Sequence, residues 1–598
     1  MSTLERWIYL GKEVGAYRRT RQRLRAENEW SYEELLQEKA EGLRRPFLDF
    51  VARIGAKQKD PVTWWSTRFS WKLWTASDLF LLTCYLAVAE EVIAQAQTKG
   101  AALRVVVEDP WLLRQIRENI ASHPRVRLQG PMLLGFRTRQ IALGLARRGR
   151  WLIAMIRSRL RQKKFWPQQT LPVPQTPTAG IFSYPSKSAF ERPGAWQDSH
   201  LPGLDRFLAE SGCEIARFTP PECTGWEQEI AERSSTTYPL ILWATGRRLL
   251  KSLAVFWRPR WPETLELEGR SIRWLCLREG WLEVGRSSLC AYRLFYECLQ
   301  GMLSQGNWRS LVTFYENQPW EKLQVLAGRS KGVRTVGIQT NLLSRFYLSY
   351  GLGRAEQDHP PLPDRIGCSG PAMHQLLMEC GVSPASLILC GALRYPDLLE
   401  RFSRNEPHQV SAEGRCRVLV VLPIDPVLAR QLLEALRRAF PDGGEEAGLH
   451  FVIRAHPVYP IPKRWVEFPA TWSETTFTNL QAQMSSCLIV LFTASTVGFE
   501  ALAAGKRVIR YRSPRLFDLD EPYGMHLPVV SDANLRAELL AHRDPRHAAR
   551  SPKEMEQLIR SVFQAVDPDR LLDLFRDTMT SPTSQKESHL LAESAAKR

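Results

Sequence analysis

LIVLFTASTVGFEALAAGKRVIRYR, residues 488–512, reads as a strand, a tight turn, a helix, a second turn and a second strand. Leu488–Phe492 is an apolar run of the buried-strand type. Ser495 and Thr496 are residue types that open helices. Phe499 to Ala504 favour helix, Gly505 stands where a helix stop belongs, and Val508 and Ile509 begin the next strand. Two apolar strands joined by so short a helix make a βαβ unit, hence a parallel sheet with ligands outside its C-terminal edge. The helix start at that edge offers backbone N–H groups that suit phosphate. Ser495 and Thr496 would add hydroxyls, and Gly498 would let a ligand approach the backbone. Glu500, four residues after Thr496, shares its helix face and would reach ribose hydroxyls. An ordinary crossover without a ligand fits the same pattern.

Upstream, Arg417–Leu422 predicts the first strand of this domain and Pro426–Phe440 its first helix. The strand His450–Arg454 runs into Ala455-His456-Pro457. A residue before proline is held extended, which sets the His456 imidazole at the sheet's C-terminal edge. Arg454, two residues earlier, shares that face. The predicted nucleotide side therefore comprises Arg454, His456, Ser495, Thr496, Gly498 and Glu500. Residues 581–598 are polar and are expected to be disordered.

Residues 1–76 are charged, helical in pattern and rich in tryptophan, and predict a helical N-terminal extension. A helix is expected at Ser77–Gln97 and a strand at Leu103–Val107. Further strands are expected near Ala179–Tyr184, Glu214–Phe218, Ile272–Cys276, Ser310–Tyr315, Thr335–Gln339 and Leu387–Leu389. The fold class is α/β, with two Rossmann-like domains over 77–395 and 396–580 and a basic helical insertion over 131–170. Two acids end strands of the first domain. Glu316, in YENQPWEK, is placed for a raised pKa and proton transfer, or for capping the helix at Pro319. Asp109, in Glu108-Asp109-Pro110, is the second candidate base, or a cap for the helix at Trp111. Gln339 and Asn341 end a neighbouring strand and would face the acceptor. Asp518-Leu519-Asp520 has metal-motif spacing but reads as a loop, so no metal site is predicted.

The chain of 598 residues carries a net charge of +18 and a pI near 9.5, which points to a polyanion or an anionic membrane surface. No zinc-finger or RNA-binding motif accompanies the charge, so nucleic acid is not an expected partner. Eleven cysteines without a CxxC argue for a reducing compartment. Leu79–Ala89, the longest apolar run, falls short of the roughly 20 residues that span a bilayer. These features predict a cytoplasmic protein with at most peripheral membrane contact. Over Arg137–Lys164, Ile141, Leu145, Leu152, Ile156 and Leu160 recur at helical spacing with arginines on another face. That pattern reads as docking on anionic lipid, or as a surface helix with a solvated basic face.

Arg454-Ala455-His456-Pro457 and Ser495-Thr496-Val497-Gly498-Phe499-Glu500-Ala501, followed by Gly505-Lys506-Arg507, resemble paired motifs of GT-B glycosyltransferases. They are similar to those of bacterial sialyltransferases and capsule Kdo transferases, which use CMP-sugars. CDP-glycerol glycerophosphotransferases carry a comparable pair. YENQPWE and Gly391-Ala392-Leu393-Arg394-Tyr395 resemble a bacterial surface-carbohydrate biosynthesis family. The resemblance implies an inverting, metal-independent transferase with no cofactor. Its co-substrate would be a CMP-linked sugar, and its acceptor a glycan or lipid-linked glycan. His456, Ser495 and Thr496 would hold the donor phosphate, and Glu500 the ribose. The short acidic-Gly base motif of sialyltransferases is absent. A polyol-phosphate transferase and a non-catalytic polysaccharide-assembly protein are the alternatives.

Overall fold

The computed structural model describes residues 5–576, apart from 121–123, 134, 167–173, 186–197, 199, 222, 224, 234–235, 358–359, 396–397, 399–414, 458, 460, 462–468, 476–479, 521–526 and 545–550. The polar tail 581–598 and the linker before the second domain lie outside the described residues.

Three parallel sheets organise the chain. The first joins β1 (Arg6–Leu10), β2 (Leu103–Val107) and β3 (Val126–Gln129), in the order β1-β2-β3. The second contains β4 (Thr178–Phe182), β5 (Glu214–Thr219) and β6 (Thr237–Pro239). After a small antiparallel hairpin, β7 (Glu266–Leu267) and β8 (Arg270–Ser271), it continues with β9 (Trp308–Phe314), β10 (Arg334–Ile338), β11 (Arg365–Cys368) and β12 (Leu387–Leu389). Its order is β12-β11-β10-β9-β4-β5-β6. The third contains β13 (Cys416–Val421), β14 (Leu449–Arg454), β15 (Ser473–Glu474), β16 (Ile489–Phe492), β17 (Arg507–Tyr511) and β18 (Val529–Val530). Its order, β15-β14-β13-β16-β17-β18, is that of a dinucleotide-binding Rossmann sheet. The second and third sheets are the two expected Rossmann-like domains.

Period-2 alternation explains why the third sheet is buried on both faces. Val418, Val420, Phe451, Ile453, Ile489 and Leu491 enter one apolar cluster. Their neighbours Leu419, Val421, Val452, Val490 and Phe492 enter another. That second cluster also takes in Tyr315, Tyr350 and Ile366 of the first α/β domain, so apolar burial clamps the two domains together.

Several expectations are corrected. The N-terminal extension is not wholly helical, because RWIYL forms β1, with Arg6 opposite Leu103. Nothing local marks it as a strand, since its partner lies far along the chain. β2 and β3 therefore belong to a separate three-stranded sheet and not to the 77–395 domain. The strand expected at Ile272–Cys276 is absent: Arg273–Val284 is helix, and Leu275, Cys276, Glu279 and Glu283 point inward at helical spacing. The last helices, Pro552–Val562 and Pro568–Asp573, cross back onto the first α/β domain. Gln564 N–H donates to Ser369 O (2.8 Å), and Leu571, Leu574 and Phe575 pack on that sheet. Helix Leu79–Thr98 is long and apolar enough to cross a membrane, but it is mostly buried in the core.

At the end of β12, Gly391 turns the chain with φ +90° and lies against the returning segment. A Cβ there would fall 2.2 Å from Ala565 O. Gly391→Ala is expected to destabilise by about 2 kcal/mol or more, because it combines a left-handed φ with a backbone clash. An unchanged melting temperature would show that this turn relaxes freely.

Candidate active site

The C-terminal edges of the two Rossmann sheets face each other across a cleft of about 430 Å³. Val421 and Leu422 at the end of β13, Arg454 to Pro457 at the end of β14, and Ser495 to Val497 after β16 all line it, with Glu500. The first domain contributes Arg394 and Tyr395 from beyond β12. Of the predicted nucleotide-side residues, all but Gly498 line this cavity.

Arg454 donates to Gln483 Oε1. Burial pulls its guanidinium pKa down, and the Glu500 carboxylate pushes it back up. His456 is half-buried at the edge. Burial first, and then the Arg394 cation, lower its pKa, so the imidazole is neutral at pH 7. The helix opened by Ser495 and Thr496 runs only from Val497 to Ala503. Two turns carry a weak dipole, so positive charge at this edge comes chiefly from Arg454 and Arg394. Thr496 does not cap the helix with its side chain; its Oγ1 accepts a hydrogen bond from Tyr395 Oη at 2.9 Å. Ser495 Oγ accepts from Val497 N at 3.3 Å.

Gly498 has a different reason from the expected one. A Cβ there would meet the Phe492 ring at 2.4 Å, so glycine is required for helix-on-strand packing and not for ligand approach.

On the acceptor side, Glu316, Gln339 and Asn341 are brought together. Both carboxylate oxygens of Glu316 accept hydrogen bonds, one from Asn341 Nδ2 and one from Gln318 Nε2. Arg394 donates to Asn341 Oδ1, which ties this group to the cleft. Gln339 donates to Asn341 O and accepts from Ser369 N at 3.0 Å. Glu316 does not cap the helix at Pro319. Glu321, in the first turn of that helix, instead holds the preceding turn, accepting from Glu316 N (2.8 Å) and Asn317 N (2.7 Å). Glu316, Gln339 and Asn341 do not line the cleft and reach it only through Arg394; burial raises the Glu316 pKa against the pull of Gln318 and Arg394.

Asp109 does not join this group. It caps the helix Pro110–Asn119 through Trp111 N and Leu112 N, and it pairs with Arg278 at 2.7 Å. Arg278 is shared with Asp78 and Glu279, so Asp109 is committed to a largely buried ion network at the edge of the three-stranded sheet. Asp518 pairs with buried Arg510, and Asp520 accepts from Ala494 N at 3.0 Å, just before Ser495. Among the described residues no group of three or more His, Cys, Asp or Glu is arranged to hold a metal ion.

Sequence reasoning assigned no role to Arg394, Tyr395, His200 and Asp520. The His200 ring stacks on Phe314 at 4.4 Å, and burial and the Arg394 cation lower its pKa to about 4. Desolvation first, and then Asp520 (itself pushed up to about 6 by burial) and Glu316 from opposite domains, raise the pKa of partly buried Tyr347. The Gly391–Tyr395 segment carried a signal through the family resemblance, and Asp520 only the metal-motif spacing that reads as a loop.

No protein-family profile and no curated protein matches the chain. Solved structures do overlap with it. UDP-GlcNAc 2-epimerase from Neisseria meningitidis bound to UDP-GlcNAc is 10% identical, covers 67% of this chain and 100% of its own, and has a TM-score of 0.41. The epimerase from Methanocaldococcus jannaschii in complex with UDP-GlcNAc and UDP is 10% identical over 64% of this chain and 99% of its own, with a TM-score of 0.38. The glycosyltransferase SnogD from Streptomyces nogalater is 15% identical over 67% of this chain and 100% of its own, with a TM-score of 0.37. The two Rossmann-like domains follow from their own strand orders.

The lowered His456 pKa has a consequence for stability. A histidine in the unfolded chain takes up its proton near pH 6.5, before folded His456 does. Its contribution is therefore present above about pH 6.5 and is lost as pH falls through the folded value. The melting temperature of the wild type should fall more between pH 7 and pH 5 than that of His456→Gln. Parallel melting curves against pH would remove the assignment.

Proposed function

We propose that the chain is an inverting, metal-independent glycosyltransferase that moves a sugar from a nucleotide donor, CMP-linked, to a surface polysaccharide or lipid-linked acceptor. The observation that carries this reading is the meeting of two groups across one cleft. Arg454, His456, Thr496 and Glu500 of one Rossmann domain face Arg394 of the other, and Arg394 leads through Asn341 to Glu316, behind the cleft lining. The first group suits a nucleotide phosphate and ribose; the second presents a carboxylate of raised pKa.

In this mechanism the acceptor hydroxyl attacks the anomeric carbon as the bond to the nucleotide phosphate breaks. Glu316 takes the hydroxyl proton, held in position by Asn341 and Gln318. Arg454 and Arg394 stabilise the negative charge that builds on the departing phosphate, with neutral His456 and the Thr496 hydroxyl as hydrogen-bond donors. Tyr395 bridges the domains at the point where donor and acceptor would meet.

CMP, CDP, UDP and GDP should be compared by thermal shift, and a CMP-induced rise in melting temperature is expected. His456→Ala and Arg454→Ala should each remove most of it. No shift with any nucleotide would overturn the donor site. Glu316→Gln should keep the nucleotide shift and lower transfer by about 100- to 10,000-fold. Transfer at the wild-type rate in that variant would dismiss Glu316 as the base. Product mass distinguishes sugar transfer from polyol-phosphate transfer, since only the second leaves phosphate on the product.

A further inference from the structure

The 30-residue helix Phe136–Phe165 carries three faces. It lies on the protein through a mixed face of polar and small residues with Trp151 and Met155. Gln140, Arg148, Ser158 and Gln162 are buried, with Trp151 and Met155. Gly144 sits so close to the neighbouring helix that a Cβ would fall 2.2 Å from Val284 O. Arg148 Nη1 donates to Val255 O at 2.9 Å. Four residues of the predicted apolar stripe point away from the protein, Leu145 67% exposed, Leu160 62%, Ile141 45% and Ile156 44%; Ile153, 50% exposed, joins them, whereas Leu152 packs against the protein. Beside it runs a third face with exposed Arg139, Arg150 and Arg157.

Exposed apolar residues scattered singly need no explanation, but these are not scattered. Of the ten large hydrophobic side chains exposed among the described residues, five lie on this helix. Two more, Leu250 and Phe256, lie on the segment that Arg148 holds beside it, with the Arg148 guanidinium 4.1 Å from the Phe256 ring. That segment also exposes Arg247, Arg258 and Arg260. Neither Phe136–Phe165 nor Gly246–Arg260 contains an aspartate or glutamate.

We propose that these two segments form one docking face for an anionic lipid bilayer. The helix would lie in the membrane plane, with its apolar stripe among the acyl chains and its arginines at the headgroups. Charge complementarity selects this occupant. A second copy would bring the same basic face against itself, and a nucleic acid would have no use for five exposed aliphatic side chains. The inference is independent of the nucleotide reading.

The full-length protein should co-sediment with phosphatidylcholine vesicles containing phosphatidylglycerol and much less with pure phosphatidylcholine. A combined Leu145→Ser, Ile156→Ser and Leu160→Ser variant should bind the anionic vesicles at least about tenfold more weakly. Its melting temperature and nucleotide shift should match the wild type, because none of the three side chains is buried. Unchanged vesicle binding in that variant would overturn the proposal. So would a wild-type dimer that the variant converts to monomer, or binding to heparin with none to vesicles. A missing nucleotide shift alongside intact vesicle binding would count against the transferase reading alone.

Discussion

One hydrogen bond spans the two halves of the site: Tyr395 at the end of one parallel sheet donates to Thr496 at the end of the other. Its neighbour Arg394 turns back to Asn341, and Asn341 holds Glu316. Two consecutive residues thus link the Thr496 hydroxyl of one domain to the Glu316 carboxylate of the other. Their reach depends on Gly391, where the chain leaves β12 in a left-handed conformation against the backbone of Ala565. The returning C-terminal segment therefore supports the active-site bridge as well as the domain interface.

The charges at the cleft follow from this arrangement. Arg394 stands near both His200 and His456 and helps hold both imidazoles neutral. It also pulls on Glu316, countering the burial that would keep that carboxyl protonated. A half-buried cation poised among neutral imidazoles and one hydrogen-bonded carboxylate would suit a leaving phosphate better than a rim of solvated lysines would. Its field is less screened, and its position is set by Asn341.

Much of the third sheet was legible because its signals are local. Apolar alternation, the His456-Pro457 pair and Ser495-Thr496 before a short helix each act within a few residues. Glu316, Gln339 and Asn341 were legible as strand-end polar residues for the same reason. Asp109 shared that pattern, but its role depends on Arg278, far along the chain and in a helix expected to be a strand. Gly498 was marked as permissive; the Phe492 ring that makes it necessary is a packing fact.

By itself, the sequence determined the α/β class, the two Rossmann-like domains, most strand positions and the residues that end them, since backbone periodicity and capping are short-range. Tertiary structure alone decided three things. It paired Arg6–Leu10 with Leu103–Val107 and so made a third sheet. It chose Arg394 and Tyr395 as the link between domains. It also turned the aliphatic stripe of the basic helix outward, because the side chains that fit against Val284 and Val255 were the polar and small ones. A helical pattern specifies which residues share a face, but only the neighbouring surface selects which face is buried.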